Sequence, residues 1–156
     1  MLKVIPYESK YKKFFYDINH EWISSMFKME PIDENVLSQP EEMILKSGGH
    51  IWFVEDDQLG IIGAAALRQV YDDGVFELTK MGVYEKARGL KAGEFLLKHV
   101  IQFVKDQKIP MCYLLTNSDC KAAIHLYLKN GFVHDQEIKD RFGSEYQRAD
   151  VAMRLS

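Results

Sequence analysis

The hydrophobic period of this chain changes at Ser47-Gly48-Gly49, and that change limits the fold to one that combines helices with a sheet. Before it, Phe14, Phe15, Ile18, Trp22, Ile23 and Met26 recur at three- and four-residue intervals, which predicts one or two helices over residues 9–28. A short strand over residues 2–7 precedes them. Asp33 is placed to cap a further helix running to about Lys46, bent or split at Pro40. After the glycines the pattern turns strand-like. Strands are expected over residues 50–55 and 61–69, joined by the turn Asp56-Asp57-Gln58-Leu59-Gly60 into a hairpin. Tyr71-Asp72-Asp73-Gly74 is a second turn signal, leading into a third apolar strand over residues 75–83.

Ala92, Leu96, Val100, Phe103 and Val104 then fall on one stripe and predict a helix over residues 90–106. A short buried strand is expected over residues 111–116. A helix over residues 119–130 follows, closed by Asn130-Gly131. Residues 132–139 and 149–155 read as two last strands around a polar loop. Hairpins segregated around a central strand-helix-strand unit imply an α/β (α+β) fold, a mixed sheet with helices on both faces. No linker or repeat divides the chain, so residues 1–156 are expected to form a single domain.

Charge and composition narrow the function. A net charge of −3 argues against nucleic-acid binding. No apolar run approaches the roughly 20 residues that span a bilayer, and residues 1–7 lack a signal-like stretch. Cys112 and Cys120 are too few for a disulfide framework, and no Cys/His spacing suggests zinc. A cytoplasmic protein with reduced thiols and no metal is therefore expected. The charge is uneven. Residues 1–60 carry eleven acids and six bases, whereas residues 80–98 carry Lys80, Lys86, Arg88, Lys91 and Lys98 against Glu85 and Glu94. Either a solvated face or an anion-binding segment accounts for that excess.

In Val83-Tyr84-Glu85-Lys86-Ala87-Arg88-Gly89-Leu90-Lys91-Ala92-Gly93-Glu94, a strand ends, a basic loop follows and a helix opens. A helix N-terminus presents unpaired N–H groups and about half a positive charge, so a diphosphate can sit there, helped by Arg88 and Lys91. Small residues at Gly89, Ala92 and Gly93 leave room for its approach. Arg88-Gly89-Leu90-Lys91-Ala92-Gly93 resembles motif A of the GNAT N-acetyltransferase superfamily, Gln/Arg-x-x-Gly-x-Gly/Ala, with Lys91 where the family usually has glycine. Leu114-Leu115-Thr116-Asn117 followed by Ala122-Ala123-Ile124-His125-Leu126-Tyr127-Leu128-Lys129-Asn130-Gly131-Phe132 resembles motif B of the same superfamily.

The resemblance covers residues 50–156 well. It implies a mostly antiparallel sheet of six to seven strands, splayed between the fourth and fifth, and acetyl-CoA as co-substrate. It also implies acyl transfer to an amine acceptor by direct attack in a ternary complex. The loop Arg141-Phe142-Gly143-Ser144-Glu145-Tyr146 is placed either to close over the site or to serve a homodimer interface. A non-catalytic acyl-CoA-binding module with the same fold is the alternative. By resemblance, Tyr127 faces the CoA sulfur and protonates the leaving thiolate. Glu77 is the candidate general base, acting directly or through water, or else a solvent-facing strand residue. Backbone N–H groups around Met81, Gly82 and Val83 are expected at the oxyanion, with Gly82 in a bulge. Asn117 is expected at the pantetheine arm or in a turn. His125 is read as a surface residue and Phe132 as core. For the acceptor, Glu21, Glu30, Asp33 and Glu34 are candidates to attract a cation, and Trp22, Phe27 and Tyr146 to form an apolar wall.

Overall fold

The computed structural model describes residues 1–71 and 74–156; Asp72 and Asp73, in the expected second turn, lie outside the described residues. Seven strands form one sheet in the order β1-β2-β3-β4-β5-β7-β6. They are β1 (Leu2–Pro6), β2 (His50–Asp56), β3 (Gly60–Tyr71), β4 (Val75–Val83), β5 (Met111–Thr116), β6 (Phe132–His134) and β7 (Val151–Leu155). Every neighbouring pair is antiparallel except β4 and β5. The helices are α1 (Lys12–Met26), α2 (Pro31–Ser38), α3 (Ala92–Asp106), α4 (Lys121–Lys129) and α5 (Gln136–Phe142).

Period-two alternation sorts the strand residues between the two faces of the sheet. Trp52, Val54, Leu67 and Leu78 pack beneath α3 and α4 with Leu96, Leu97, Val100 and Phe132. Ile51, Phe53, Ala64 and Ala66 pack on the other face with Phe15, Ile18 and Ile23 of α1 and Leu37 of α2. α3 alone buries Leu96, Leu97, Val100 and Ile101, each contributing about 1.5–3 kcal/mol. Among the described residues no helix is long and apolar enough to cross a membrane.

Three expectations are corrected. The helix expected from Asp33 to Lys46 starts earlier and ends sooner. Pro31 takes its first position and Glu30 is the N-cap, while Asp33, at the third position, accepts from the Glu30 N–H at 2.9 Å. α2 ends at Ser38, and beyond Pro40 the chain makes a separate π-helical turn, Glu41–Leu45. The strand expected over residues 132–139 stops at His134, because the Asp135 side chain accepts from the Ile138 N–H at 3.1 Å and starts α5. The bulge expected at Gly82 lies at Lys80, whose φ is +52°. Gly82 is demanded by packing instead: a Cβ there would meet the Trp22 indole at 2.3 Å.

The bulge and one divergence position the site. β4 and β5 pair only through Val75↔Met111, Phe76↔Cys112 and Glu77↔Tyr113. Past that point β4 stays with β3 up to Val83, and β5 stays with β7 up to Thr116. The sheet therefore splits into two halves with an open V between them.

Candidate active site

One half of the site is a cradle at the start of α3. Tyr84 leads into a 3-10 turn over Glu85–Ala87, pinned by the buried Ala87, and the chain then exposes Arg88, Gly89, Leu90 and Lys91. The first ladder bond of α3 is Phe95 N–H to the Lys91 carbonyl at 3.1 Å, and no side chain among the described residues caps the helix. The amides of Ala92, Gly93 and Glu94 thus have no acceptor inside the helix, the arrangement that binds an anion. Val83, Arg88, Gly89, Lys91 and Gly93 line the hollow in front of them, together with Leu126 of α4. A Cβ on Gly93 would make only ordinary contacts within the protein, 3.8 Å to Val83 and 3.9 Å to Leu126, so packing does not require the glycine. Its smallness leaves the amide approachable from outside.

Glu94 carries the only carboxylate lining this hollow among the described residues. Lys129 at 3.0 Å and Asn130 at 3.2 Å draw it toward the end of α4 and hold it below the usual carboxylate range. Leu90 turns away, its exposed side chain lying by Met1 and Leu59. Lys91 sits in the left-handed region with φ +60°, beside Gly89 at +93°. That conformation is where glycine is free and other residues are strained. It gives a conformational reason for glycine at this position of the motif.

The second half is the V-shaped cleft between β4 and β5. Leu78, Thr79, Lys80 and Met81 line one wall, and Leu114 through Asn117 the other, with Cys120, the N-cap of α4, and Tyr127 of α4 above. Tyr127 is 8% exposed, and its hydroxyl makes no hydrogen bond to any described residue. Burial pushes it upward from the ordinary phenol range, so it stays protonated at neutral pH. Asn117 donates to the Arg148 carbonyl at 2.7 Å and accepts from the Asp119 N–H at 2.8 Å, tying the β5–α4 turn to the segment before β7. Of the three residues expected at the oxyanion, Met81 faces the cleft, Val83 faces the cradle, and Gly82 pairs with Ala64 under Trp22.

Beneath the cleft lies a floor of buried charge. Lys80 donates to Asp33 at 2.7 Å, and Arg148 grips the same carboxylate with two bonds of 2.6 and 2.8 Å. Burial alone would raise the Asp33 carboxyl, but the Arg148 bonds and the Lys80 charge overcome it and hold it at about 2. Burial pushes Lys80 down, against the pull of Asp33. The Lys80 ammonium lies 4.6 Å and the Arg148 guanidinium 4.9 Å from the centre of the Tyr146 ring. Glu77 is buried behind this group and accepts from Arg68 at 2.7 Å; Arg68 also holds Glu145. Burial and the Glu145 charge push the Glu77 carboxyl up, with Arg68 opposing.

Several sequence candidates meet at the cleft: Trp22, Phe27 and Tyr146 line it, as does Asn117. The expected acids do not. Glu30 accepts from Arg148 and from the Gln147 N–H, and Asp33 is enclosed. Glu21 accepts from the Glu85 N–H at 2.8 Å, and Glu34 accepts from the Tyr16 hydroxyl at 2.8 Å. Among the described residues no carboxylate lines the cleft. His125 is exposed and Phe132 buried, as expected. Sequence reasoning did not single out Lys80, Arg148 or Cys120 as cleft residues. Arg148 is 115 residues from its partner Asp33, so no local signal marks the pair.

The same architecture recurs among solved structures. An acetyltransferase of the GNAT family from Staphylococcus aureus Mu50 superposes with a TM-score of 0.86 at 26% identity, covering 99% of this chain and 98% of that one. The PaiA N-acetyltransferase from Thermoplasma acidophilum, in complex with coenzyme A, gives 0.72 at 15% identity over 100% and 99% of the two chains. Spermidine N-acetyltransferase from Vibrio cholerae, in complex with CoA and spermine, gives 0.69 at 16% over 98% and 93%. Among curated proteins none matches the chain. The model of the acetyltransferase (GNAT) family matches residues 13–132. Splayed sheet, amide cradle and family match agree, and the chain belongs to the GNAT acetyltransferase family.

Proposed function

We propose that this protein transfers an acetyl group from acetyl-CoA to a primary amine of a small molecule or peptide by direct attack in a ternary complex. One observation carries the reading. Leu126 and Tyr127 are consecutive on α4, and the first lines the anion cradle while the second lines the cleft. A ligand with a diphosphate at one end and a thioester at the other fits that arrangement. In this reading the amides of Ala92 to Glu94 and the Arg88 side chain hold the diphosphate. The thioester lies in the V, with its carbonyl toward the backbone at Met81 and its sulfur toward the Tyr127 hydroxyl. Tyr127 keeps its proton until charge develops on the leaving thiolate, then donates it.

The acceptor amine must attack as the neutral species. For a lysine-like amine at pH 7 that costs about 4.6 kcal/mol. The cleft wall presents Lys80, Arg148 and aromatic rings, with the matching acids behind them. It offers an ammonium ion no bare carboxylate, which favours the neutral form. Glu77, buried and raised, takes up the amine proton through water in this scheme rather than by contact, since it does not line the cleft.

Thermal shift with CoA and acetyl-CoA, followed by thiol release against a panel of amines, tests the proposal. Stabilisation by both ligands and turnover on at least one amine is expected. Stabilisation without turnover on any amine would replace it with the acyl-CoA-binding module, and no stabilisation would remove both.

A further inference from the structure

Cys120 is the N-cap of α4, and Tyr127 lies seven residues further on, about two helical turns along it. Helical side chains lean toward the N-terminus, which tilts the Tyr127 ring toward the Cys120 end of α4. Both line the same narrow cleft, of about 50 Å³. Cys120 is held in place by its own backbone: its N–H donates to the Asn117 carbonyl at 2.9 Å, and its carbonyl accepts from the Ile124 N–H at 3.0 Å. Tyr127 is nine-tenths buried and its hydroxyl has no hydrogen-bond partner among the described residues, which points to a ligand atom in this space. If that atom is the CoA sulfur, as in the reading above on which this inference rests, it shares the cleft with a second sulfur.

We infer that Cys120 is an oxidative modification site at which the thiol of bound CoA is captured as a mixed disulfide. The oxidant is hydrogen peroxide. The Cys120 sulfur attacks the peroxide, the O–O bond breaks, and a sulfenic acid and one water result. The CoA sulfur then attacks the Cys120 sulfur, the S–O bond breaks, a second water leaves, and the S–S bond forms. The two thiols lose two electrons and the peroxide gains them. The product plugs the cleft with the enzyme's own co-product and is reversed by thiol exchange. Cys112 serves as an internal contrast. It is 3% exposed, and burial pushes its thiol up to about 12.

Intact mass spectrometry of the full chain, saturated with CoA and treated with hydrogen peroxide, tests this. One CoA adduct per chain is expected, mapped to Cys120, removed by dithiothreitol, absent in Cys120→Ser and unchanged in Cys112→Ser. With equal CoA and glutathione, CoA should label about tenfold more, because binding raises its effective concentration. Equal labelling by both thiols would reveal only an accessible cysteine and overturn the inference. So would absence of an adduct while CoA still raises the melting temperature, which leaves the CoA-binding reading standing. Absence of any thermal stabilisation by CoA would sink both.

Discussion

The cradle at the start of α3 is made of backbone, and the floor of the cleft is made of side chains. The cradle presents three consecutive amides without acceptors in the helix and one exposed arginine, and the charges around them sit in water. In the floor, Asp33, Lys80 and Arg148 come from α2, β4 and the segment before β7, and all three are largely out of water. Anion binding by a helix terminus tolerates changes of side chain, since the donors belong to the chain itself. A buried charge cluster tolerates almost none, since each member leaves the others uncompensated.

The sharpest way to break that contrast is a pair of substitutions. Asp33→Ala strips Lys80 and Arg148 of their shared carboxylate, and a loss of about 3–5 kcal/mol in urea unfolding is expected. Arg88→Glu in the cradle should change stability by less than about 0.5 kcal/mol. It should nevertheless weaken CoA binding by calorimetry, because it sets a negative charge against a phosphate. Comparable stability losses for the two variants would erase the contrast between cradle and floor.

Next in size is Tyr127→Phe. The ring packs on Phe132 at 5.7 Å, and phenylalanine preserves that contact. With the hydroxyl gone, kcat should fall about 100-fold while the KM for acetyl-CoA stays put, the low end for a general acid because a thiol is already a fair leaving group. An unchanged kcat would make Tyr127 a packing residue of the α4 face.

Acid titration sharpens the floor side of the comparison. The Asp33 carboxyl is held at about 2, below its ordinary value of 3.8. A group depressed in the folded state stabilises it fully above the ordinary value and loses that contribution as pH falls through the depressed one. Stability should therefore drop by about 2 kcal/mol between roughly pH 4 and pH 2. Asp33→Asn should lack this component, as compared by denaturant unfolding at each pH.

The same division decided what the sequence could disclose. The cradle was legible because a strand, a basic loop and a helix stripe lie within about twenty residues, so local periodicity locates the amides. Tyr127 and Asn117 were legible through motif spacing on one strand and one helix. The floor was not legible. Asp33 reads as a helix cap and Lys80 as part of a basic stretch, and only the tertiary fold brings them within 2.7 Å. Residue type alone marks Trp22 and Tyr146 as wall residues, and the acids marked on the same ground face other partners. α5 was missed because seven residues give too little period to outweigh the apolar start at Phe132.

Lys91→Gly is the smallest change and probes the cradle's claim to be backbone. Lys91 occupies the left-handed region, which costs a residue with a Cβ about 1–2 kcal/mol and glycine almost nothing. Glycine also gives the unfolded chain more freedom, worth about 0.5–1 kcal/mol in the opposite direction. The two nearly cancel, leaving an expected stabilisation of about 0.5 kcal/mol in urea unfolding. If the amides alone hold the diphosphate, CoA affinity at moderate salt should be unchanged or slightly better, because the loop relaxes into the conformation it already has. A loss of affinity that disappears at high salt would show the Lys91 ammonium to be a phosphate ligand, since only a charge contact is screened. The cradle would then be side-chain work in part, at the one position where this chain departs from the motif glycine.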